Sequence, residues 1–268
     1  MSGRPAALPV ALDGVSILGP GLNDWAEACE ILTGVRAYEC RPTLIPLADS
    51  LPPAERRRTG RVVNLALAAG FAATADSGTD VTGLCTVFAS SGADSNNCHE
   101  ILNTLASADR QLSPTRFHNS VHNVTAGYWS IATRDTAPYT VVCAYDGSFA
   151  AGLLEAWALV NTRHCDVLLV AYDVDYPPPL RAKRPIPDAC GVALLLRPQR
   201  TSKTLAILAL ALSAESPDVL GSPPLEALRV SVPAARSLPL LTLLANHGSG
   251  VTHLEYLLPH SLAVTVTP

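Results

Sequence analysis

Charge is scarce in this sequence. Asp, Glu, Lys and Arg make up 16% of its 268 residues, and the formal net charge at pH 7 is −4. Electrostatic binding of nucleic acid needs a basic patch. The densest basic run is only Arg56-Arg57-Arg58, at the head of an apolar, helix-like stretch, where a solvated helix start is the plainer reading. The seven cysteines (Cys29, Cys40, Cys85, Cys98, Cys143, Cys165 and Cys190) are scattered, odd in number and contain no Cys-x-x-Cys. That pattern speaks against a disulfide framework and a zinc ribbon, and it fits a reducing cytoplasm. No run is long and apolar enough to cross a membrane. Thr204 to Ser213 is the most apolar run of the C-terminal half, far short of the roughly 20 residues a spanning helix needs. Met1 to Asp13 lacks the charged start and long apolar core of a signal peptide. A soluble, cytoplasmic protein is expected.

Apolar residues are abundant, at 48% of the chain, and the length is enough to bury a large core without disulfides or metals. Gly14 to Leu18 reads as a first strand closed by Gly19-Pro20-Gly21, and Asn23 or Asp24 caps a helix running to Leu32. Residues 41–53 are proline-rich and extended. Pro52 to Thr74 reads as one long amphipathic helix, with its arginines at the end the helix dipole disfavours. Helices are expected over Asn96 to Ala106, Phe117 to Ile131, Ser148 to Asn161 and Ala234 to Ala245. Strands are expected over Leu84 to Ser90, Tyr139 to Ala144, Cys165 to Tyr172, Cys190 to Leu196 and Leu205 to Ser213, with a closing hairpin of Glu255 to Leu258 and Leu262 to Thr267. Strands apolar throughout, alternating with helices, predict an α/β fold whose sheet is buried on both faces. No repeat or linker divides the chain, so residues 1–268 are expected to form a single domain.

The informative stretch is Tyr139 to Ala171: a strand, the turn Ala144-Tyr145-Asp146-Gly147, an apolar helix containing Gly152, and the strand that begins Cys165-Asp166. A sharp strand-to-helix turn is a common seat for a nucleophile, because the helix N-terminus offers free N–H groups and favours negative charge. Here the sequence resembles the β-ketoacyl synthases of the thiolase superfamily, whose corresponding strand ends in an Ala-Cys-x-x-Gly turn bearing the acyl-carrying cysteine. Matching Gly147 and Gly152 places Ala144 at the nucleophile position and Cys143 one residue early. Four further pieces fall in the family's order: Val15 to Gly21, Leu84 to Gly92, Asn123-Val124-Thr125-Ala126-Gly127, and Asp188 to Leu196. Phe117 to Asn123 followed by Ala126-Gly127-Tyr128-Trp129-Ser130-Ile131 is similar to the short, chain-length-factor-type subunits of aryl-polyene clusters.

The resemblance implies a thiolase-like layered α/β fold, essentially the N-terminal ketosynthase half with a short C-terminal closure. It also implies a heterodimer with an active ketosynthase, traffic with an acyl carrier protein, and no cofactor. An alanine at 144 cannot form a thioester, since covalent catalysis needs a thiolate or a similar nucleophile. The family's two catalytic histidines lie in a second half for which the sequence leaves no room. The expectation is therefore a catalytically silent subunit. The rivals are a stand-alone acyl-transferring or decarboxylating enzyme using Cys143 or His247, and a scaffold that only stabilises its partner.

Each remaining candidate has two readings. Cys143 is a displaced nucleophile or, more simply, a buried structural cysteine. His247 lies in a faintly family-like Asn246-His247-Gly248 segment, or merely in the last turn of a helix that Gly248 stops. His118 and His122, four apart, share a helix face, yet no Cys, Asp or Glu is in register to complete a metal set. By resemblance Arg116, Phe117 and His118 sit at the dimer interface near the partner's acyl tunnel, where they are tunnel-setting residues or ordinary interface ones. Tyr145 and Asp146 plug the vestigial pocket, or Asp146 simply caps a helix. Arg56 to Arg58, Arg181, Lys183 and Arg184 meet an acidic carrier protein or are solvated loop residues.

Overall fold

The computed structural model describes residues 8–268. Residues 1–7, which open the segment read above for a leader, lie outside the described residues.

In chain order the elements are β1 (Pro9–Leu18), α1 (Trp25–Leu32), α2 (Pro53–Arg56), α3 (Arg61–Thr74), β2 (Cys85–Ala89), α4 (Ser95–Ala106), α5 (Pro114–His118), α6 (Val124–Thr133) and β3 (Tyr139–Val142). A 3-10 turn (Tyr145–Gly147) leads into α7 (Ser148–Arg163), then β4 (Val167–Asp173), α8 (Pro178–Arg181), β5 (Cys190–Arg197), β6 (Ala206–Ser213) and α9 (Pro223–Ser231). A second 3-10 turn (Pro233–Ser237) precedes α10 (Leu238–Ala245), β7 (Gly250–Glu255) and β8 (Ser261–Thr267).

The eight strands of the described residues join one mixed sheet, ordered β3-β2-β4-β5-β1-β6-β8-β7. β2 pairs in parallel with β3 and β4, and the remaining pairings are antiparallel. Alternate residues of each central strand enter different cores, as the two-residue period of a strand requires. Val167, Leu169 and Ala171 of β4 pack under α7 and the second 3-10 turn, whereas Leu168, Val170 and Tyr172 pack on the side of α3 and α6. The central strands β2, β4 and β5 are buried nearly throughout because both faces are covered, as expected from their sequence, whereas β3, β6, β7 and β8 are partly exposed.

Two long helices expected from the sequence are each split in two. Pro52 to Thr74 breaks between α2 and α3, where extended Gly60 starts the second helix and Thr59 bonds back to the Arg56 carbonyl. The split puts Arg56 and its neighbours at the C-terminal end of α2, the end a helix dipole favours for cations. Phe117 to Ile131 breaks between α5 and α6: Ser120 Oγ donates to the Phe117 carbonyl at 2.8 Å and Asn119 Nδ2 to the Arg58 carbonyl at 2.7 Å. Short polar side chains bonding to backbone are a standing competitor to helix continuation. His118 and His122 therefore do not share a helix face.

Three smaller findings concern the ends of elements, the first of them a correction. Tyr139 to Ala144 is a short edge strand, partly exposed, and not a buried one. Asp24, not Asn23, caps α1, accepting the Glu27 N–H at 2.7 Å. α10 ends with His247 itself in the left-handed region (φ 48°), its N–H reaching the Leu244 carbonyl and that of Gly248 the Leu243 carbonyl. Gly248 is the residue after the left-handed one, where a Cβ would lie 2.8 Å from Leu243 Cδ1.

Candidate functional site: the turn between β3 and α7

Three parallel strands, β2, β3 and β4, end side by side, and the turn after β3 stands at that end of the sheet. Ala144 keeps φ −141°, but Tyr145 takes φ 52°, a left-handed conformation that costs an ordinary side chain energy and persists only where neighbours enforce it. Ser148 Oγ is one enforcer, accepting the Ala144 N–H at 3.0 Å and donating to the Tyr145 carbonyl at 2.7 Å. Both glycines that define the motif are required by close approach. A Cβ on Gly147 would stand 3.0 Å from the Tyr256 backbone, and one on Gly152 2.7 Å from Ala89 Cβ. α7 is therefore seated directly on β2, and the turn against the chain that follows β7.

Ala144 presents only a methyl group there. Its neighbour Cys143 is exposed, not buried as expected, because β3 is an edge strand; its Sγ lies 3.4 Å from the Ser91 carbonyl as a weak donor.

Asp146 does not cap α7, whose N-terminus has no side-chain cap. It is held instead by Arg184 at 2.6 Å and Arg236 at 3.1 Å. Arg236 also pairs with Glu255, which lies 3.7 Å from Arg229, and Arg229 forks onto Glu226 with bonds of 2.7 and 2.6 Å. Three arginines and three carboxylates thus form one chain of ion pairs across the mouth of the turn. Burial pulls the Arg236 guanidinium below its ordinary range, with the Asp146 charge opposing. Arg184 completes the closure by laying its guanidinium 3.6 Å over the Tyr145 ring centroid. Arg184 is accordingly not a solvated loop residue, whereas Tyr145 is 64% exposed.

Beneath this layer lies Asp173, the fully buried last residue of β4. It accepts the Ser91 N–H at 2.9 Å, the Ser91 hydroxyl at 2.6 Å and the Ala234 N–H at 2.9 Å. Burial pushes its carboxyl up to about 6, although these hydrogen bonds and the nearby Arg184 charge pull the other way.

The remaining candidates lie elsewhere. Phe117 (65% exposed), His118, Val121, Asn123 and Ile131 line an apolar groove of about 510 Å³ on α5 and α6. Asn123 Nδ2 donates to the Tyr139 hydroxyl at 3.0 Å, which joins this groove to the edge strand β3. Arg116 faces a separate polar groove with Arg58, Arg61 and Asp94, and is 3.8 Å from Glu100. His247 is exposed in the C-cap of α10 and forms no part of the turn's network. Among the described residues, no three His, Cys, Asp or Glu side chains are grouped to hold a metal ion, and no helix is long and apolar enough to cross a membrane.

Sequence reasoning found the turn but missed Asp173 and the arginine chain. Only the Glu226–Arg229 pair, three apart on α9, carried a local signal.

Comparison with known proteins agrees with this geometry. No curated protein matches the sequence. Among solved structures, a chain of the ketosynthase (ApeO) in complex with its chain length factor (ApeC) from Xenorhabdus doucetiae is similar over 97% of this chain and 100% of that one. Its TM-score is 0.72 at 22% identity. The ishigamide ketosynthase/chain length factor gives 0.74 at 15% identity over 97% and 99% of the two chains. AntDE:AntF, a type II polyketide-synthase acyl-carrier protein in complex with its ketosynthase bound to the hexaketide, gives 0.75 at 12% identity, also over 97% and 99%. The thiolase-like ketosynthase fold is therefore shared, and the profile of the beta-ketoacyl synthase N-terminal domain matches residues 36–231. This chain belongs to the β-ketoacyl synthase N-terminal domain family.

Proposed function

We propose that this chain is the catalytically silent, chain-length-factor-type member of a ketosynthase pair that builds a polyketide or fatty-acid-type chain, of the aryl-polyene kind, in the cytoplasm. The observation that carries the reading is the turn after β3: a methyl group at Ala144 where the family places its nucleophile, closed over by the Tyr145–Arg184 stack and the Asp146–Arg236 ion pairs. No thioester forms on a methyl group, so condensation would belong to the partner.

The two edges of the sheet support a partner at β3. The β7 edge is covered: Asp218 donates its N–H to the His253 carbonyl, and its carboxylate accepts from His253 N–H and Thr252 Oγ1. The β3 edge has no such cover among the described residues, and beside it stand exposed Phe117, Val121, Ile131 and Tyr139. An open edge next to a large exposed apolar patch favours pairing with another chain. Phe117 and His118 would then face the partner and help set how long a chain its tunnel accepts. Each methylene excluded there forgoes roughly 0.8 kcal/mol of burial. Of the basic residues considered for a carrier protein, Arg56, Arg58, Arg181 and Arg184 are each paired with a carboxylate of this chain, whereas Arg57 and Lys183 form no ion pair among the described residues. A carrier protein is proposed to dock on the pair chiefly through the partner.

The test is co-purification with the active ketosynthases of the same organism, followed by mass analysis of the complex. A one-to-one complex acylated only on the partner supports the proposal. A homodimer that acquires an acyl group on its own overturns it. The exposure of Cys143 favours one second reading, an acyl transfer using that thiol. Turnover by the isolated chain that Cys143→Ala abolishes would establish it, and full activity of the complex carrying Cys143→Ala would remove it.

A further inference from the structure

We propose that Cys85 and Cys165 form a reversible intramolecular disulfide, a redox modification site that ties the foot of β2 to the foot of β4. The two residues are 80 positions apart in sequence, yet their sulfurs meet at 3.5 Å. Cys85 is the first residue of β2, and its neighbour across the sheet is Val167 at the start of β4. Cys165 stands just before β4, directly after His164, whose left-handed conformation (φ 52°) ends α7 and turns the chain toward Cys85. A disulfide has an S–S bond of about 2.05 Å, so the sulfurs must close by roughly 1.5 Å, a shift small enough for side-chain rotation to supply.

Access orders the chemistry. Cys85 is buried, while Cys165 is only partly so and meets a reagent first. The Cys165 thiolate attacks one sulfur of a small-molecule disulfide such as glutathione disulfide and expels one glutathione thiolate. The Cys85 thiolate then attacks the Cys165 sulfur of the mixed disulfide and expels the second. Two protein thiols are oxidised, one glutathione disulfide is reduced to two thiols, and the cysteine protons pass through solvent to the departing thiolates. Burial, reinforced by the neighbouring Cys85, pushes the Cys165 thiol up to about 11. The Cys165 thiolate is thus scarce near neutral pH, and the rate of this first attack rises with pH.

The cross-link lies at the end of the parallel strands opposite the Ala144 turn. Its effect is on the rigidity of the β3-β2-β4 unit and not on the turn itself.

The experiment treats the purified full chain with glutathione disulfide at about pH 7 and about pH 8.5, then maps unreduced peptides by mass spectrometry. The expected result is a Cys85–Cys165 cross-linked peptide, lost on adding dithiothreitol, formed faster at the higher pH, and accompanied by a higher unfolding temperature. Cys165→Ser should abolish both the cross-link and the shift, and Cys85→Ser should leave Cys165 as a glutathione adduct. Exposed Cys40, Cys98 and Cys143 report that the oxidant acted. Glutathione on those three without a Cys85–Cys165 peptide overturns the proposal, as does a cross-link from Cys165 to any other cysteine.

Discussion

The Arg184 guanidinium lies 3.6 Å over the Tyr145 ring and at the same time bonds the Asp146 carboxylate at 2.6 Å. One side chain thus grips two successive residues of the turn, the first of which is in a left-handed conformation. Arg184→Ala removes the stack and one of the two cations on Asp146, and is expected to cost about 2 kcal/mol. Arg184→Lys keeps the charge but loses the planar stack, and should recover less than half of the loss. Urea unfolding of the three proteins checks this; a loss below about 0.5 kcal/mol for the alanine variant would show that the clamp is idle.

Two helical glycines should respond in opposite directions. At Gly152 a methyl group meets Ala89 Cβ at 2.7 Å and Leu169 Cδ1 at 2.8 Å, so Gly152→Ala is expected to destabilise by about 1–3 kcal/mol. Gly127, inside α6, has nothing within 4 Å of its added Cβ, so Gly127→Ala should stabilise the isolated chain by up to about 1 kcal/mol. Denaturation midpoints decide both.

Asp173 predicts a pH dependence. Its folded-state value stands at about 6, raised from 3.8. Below the unfolded value both states are protonated and the buried carboxyl is neutral. As pH rises through about 6 the native state must hold a buried charge that the unfolded state solvates, so stability from this group is lost, up to about 3 kcal/mol. Other carboxylates titrate in the same window, so the readout is the difference between wild type and Asp173→Asn in urea unfolding from about pH 4 to about pH 7. The variant should lack this share of the slope. It should also be weaker at low pH, because its amide turns a donor toward the Ser91 or Ala234 N–H groups. Identical slopes would refute the assignment.

If the open β3 edge takes a partner, Phe117→Ala and Ile131→Asp should each weaken that association at least about tenfold while leaving the chain's own unfolding unchanged, since both residues are exposed. Titration by light scattering or calorimetry separates the two effects. Equal affinity for the wild type and both variants would move the interface elsewhere.

Native-state alkylation should label Cys40, Cys98 and Cys143, which are exposed, and spare Cys85 and Cys190, which are buried. Burial also pushes the Cys190 thiol upward, which further lowers its reactivity. A protected Cys143 would contradict the edge position of β3.

The period-2 and helical patterns made most of the fold legible. β4, β5 and β6 and the helix α7 stand within two residues of where their apolar runs placed them, because long apolar segments leave the backbone few alternatives. The turn was legible too, since Gly147 and Gly152 are where they are for steric reasons that any sequence with this fold must meet. The break from Asn119 to Asn123 was not, because it depends on a side chain bonding to backbone that folding brings near: Asn119 finds the Arg58 carbonyl 61 residues away.

The sequence by itself determined the alternation of strands and helices from β1 to β6 and the apolar character of the central strands, which follow from residue type and spacing. It did not place α8 or α9, and the strand expected over Glu255 to Leu258 lies at Gly250–Glu255. Only the tertiary structure decided that Cys143 is exposed, that Asp146 is an ion-pair partner and not a cap, and that Arg184, Arg229 and Arg236 meet Asp146, Glu226 and Glu255 over the turn. These six charges come from the turn before α7, the loop before β5, α9, the second 3-10 turn and β7. Apart from Glu226 and Arg229 on one helix, these charges are distant in sequence and meet only in the folded chain, which no local stretch of sequence can encode.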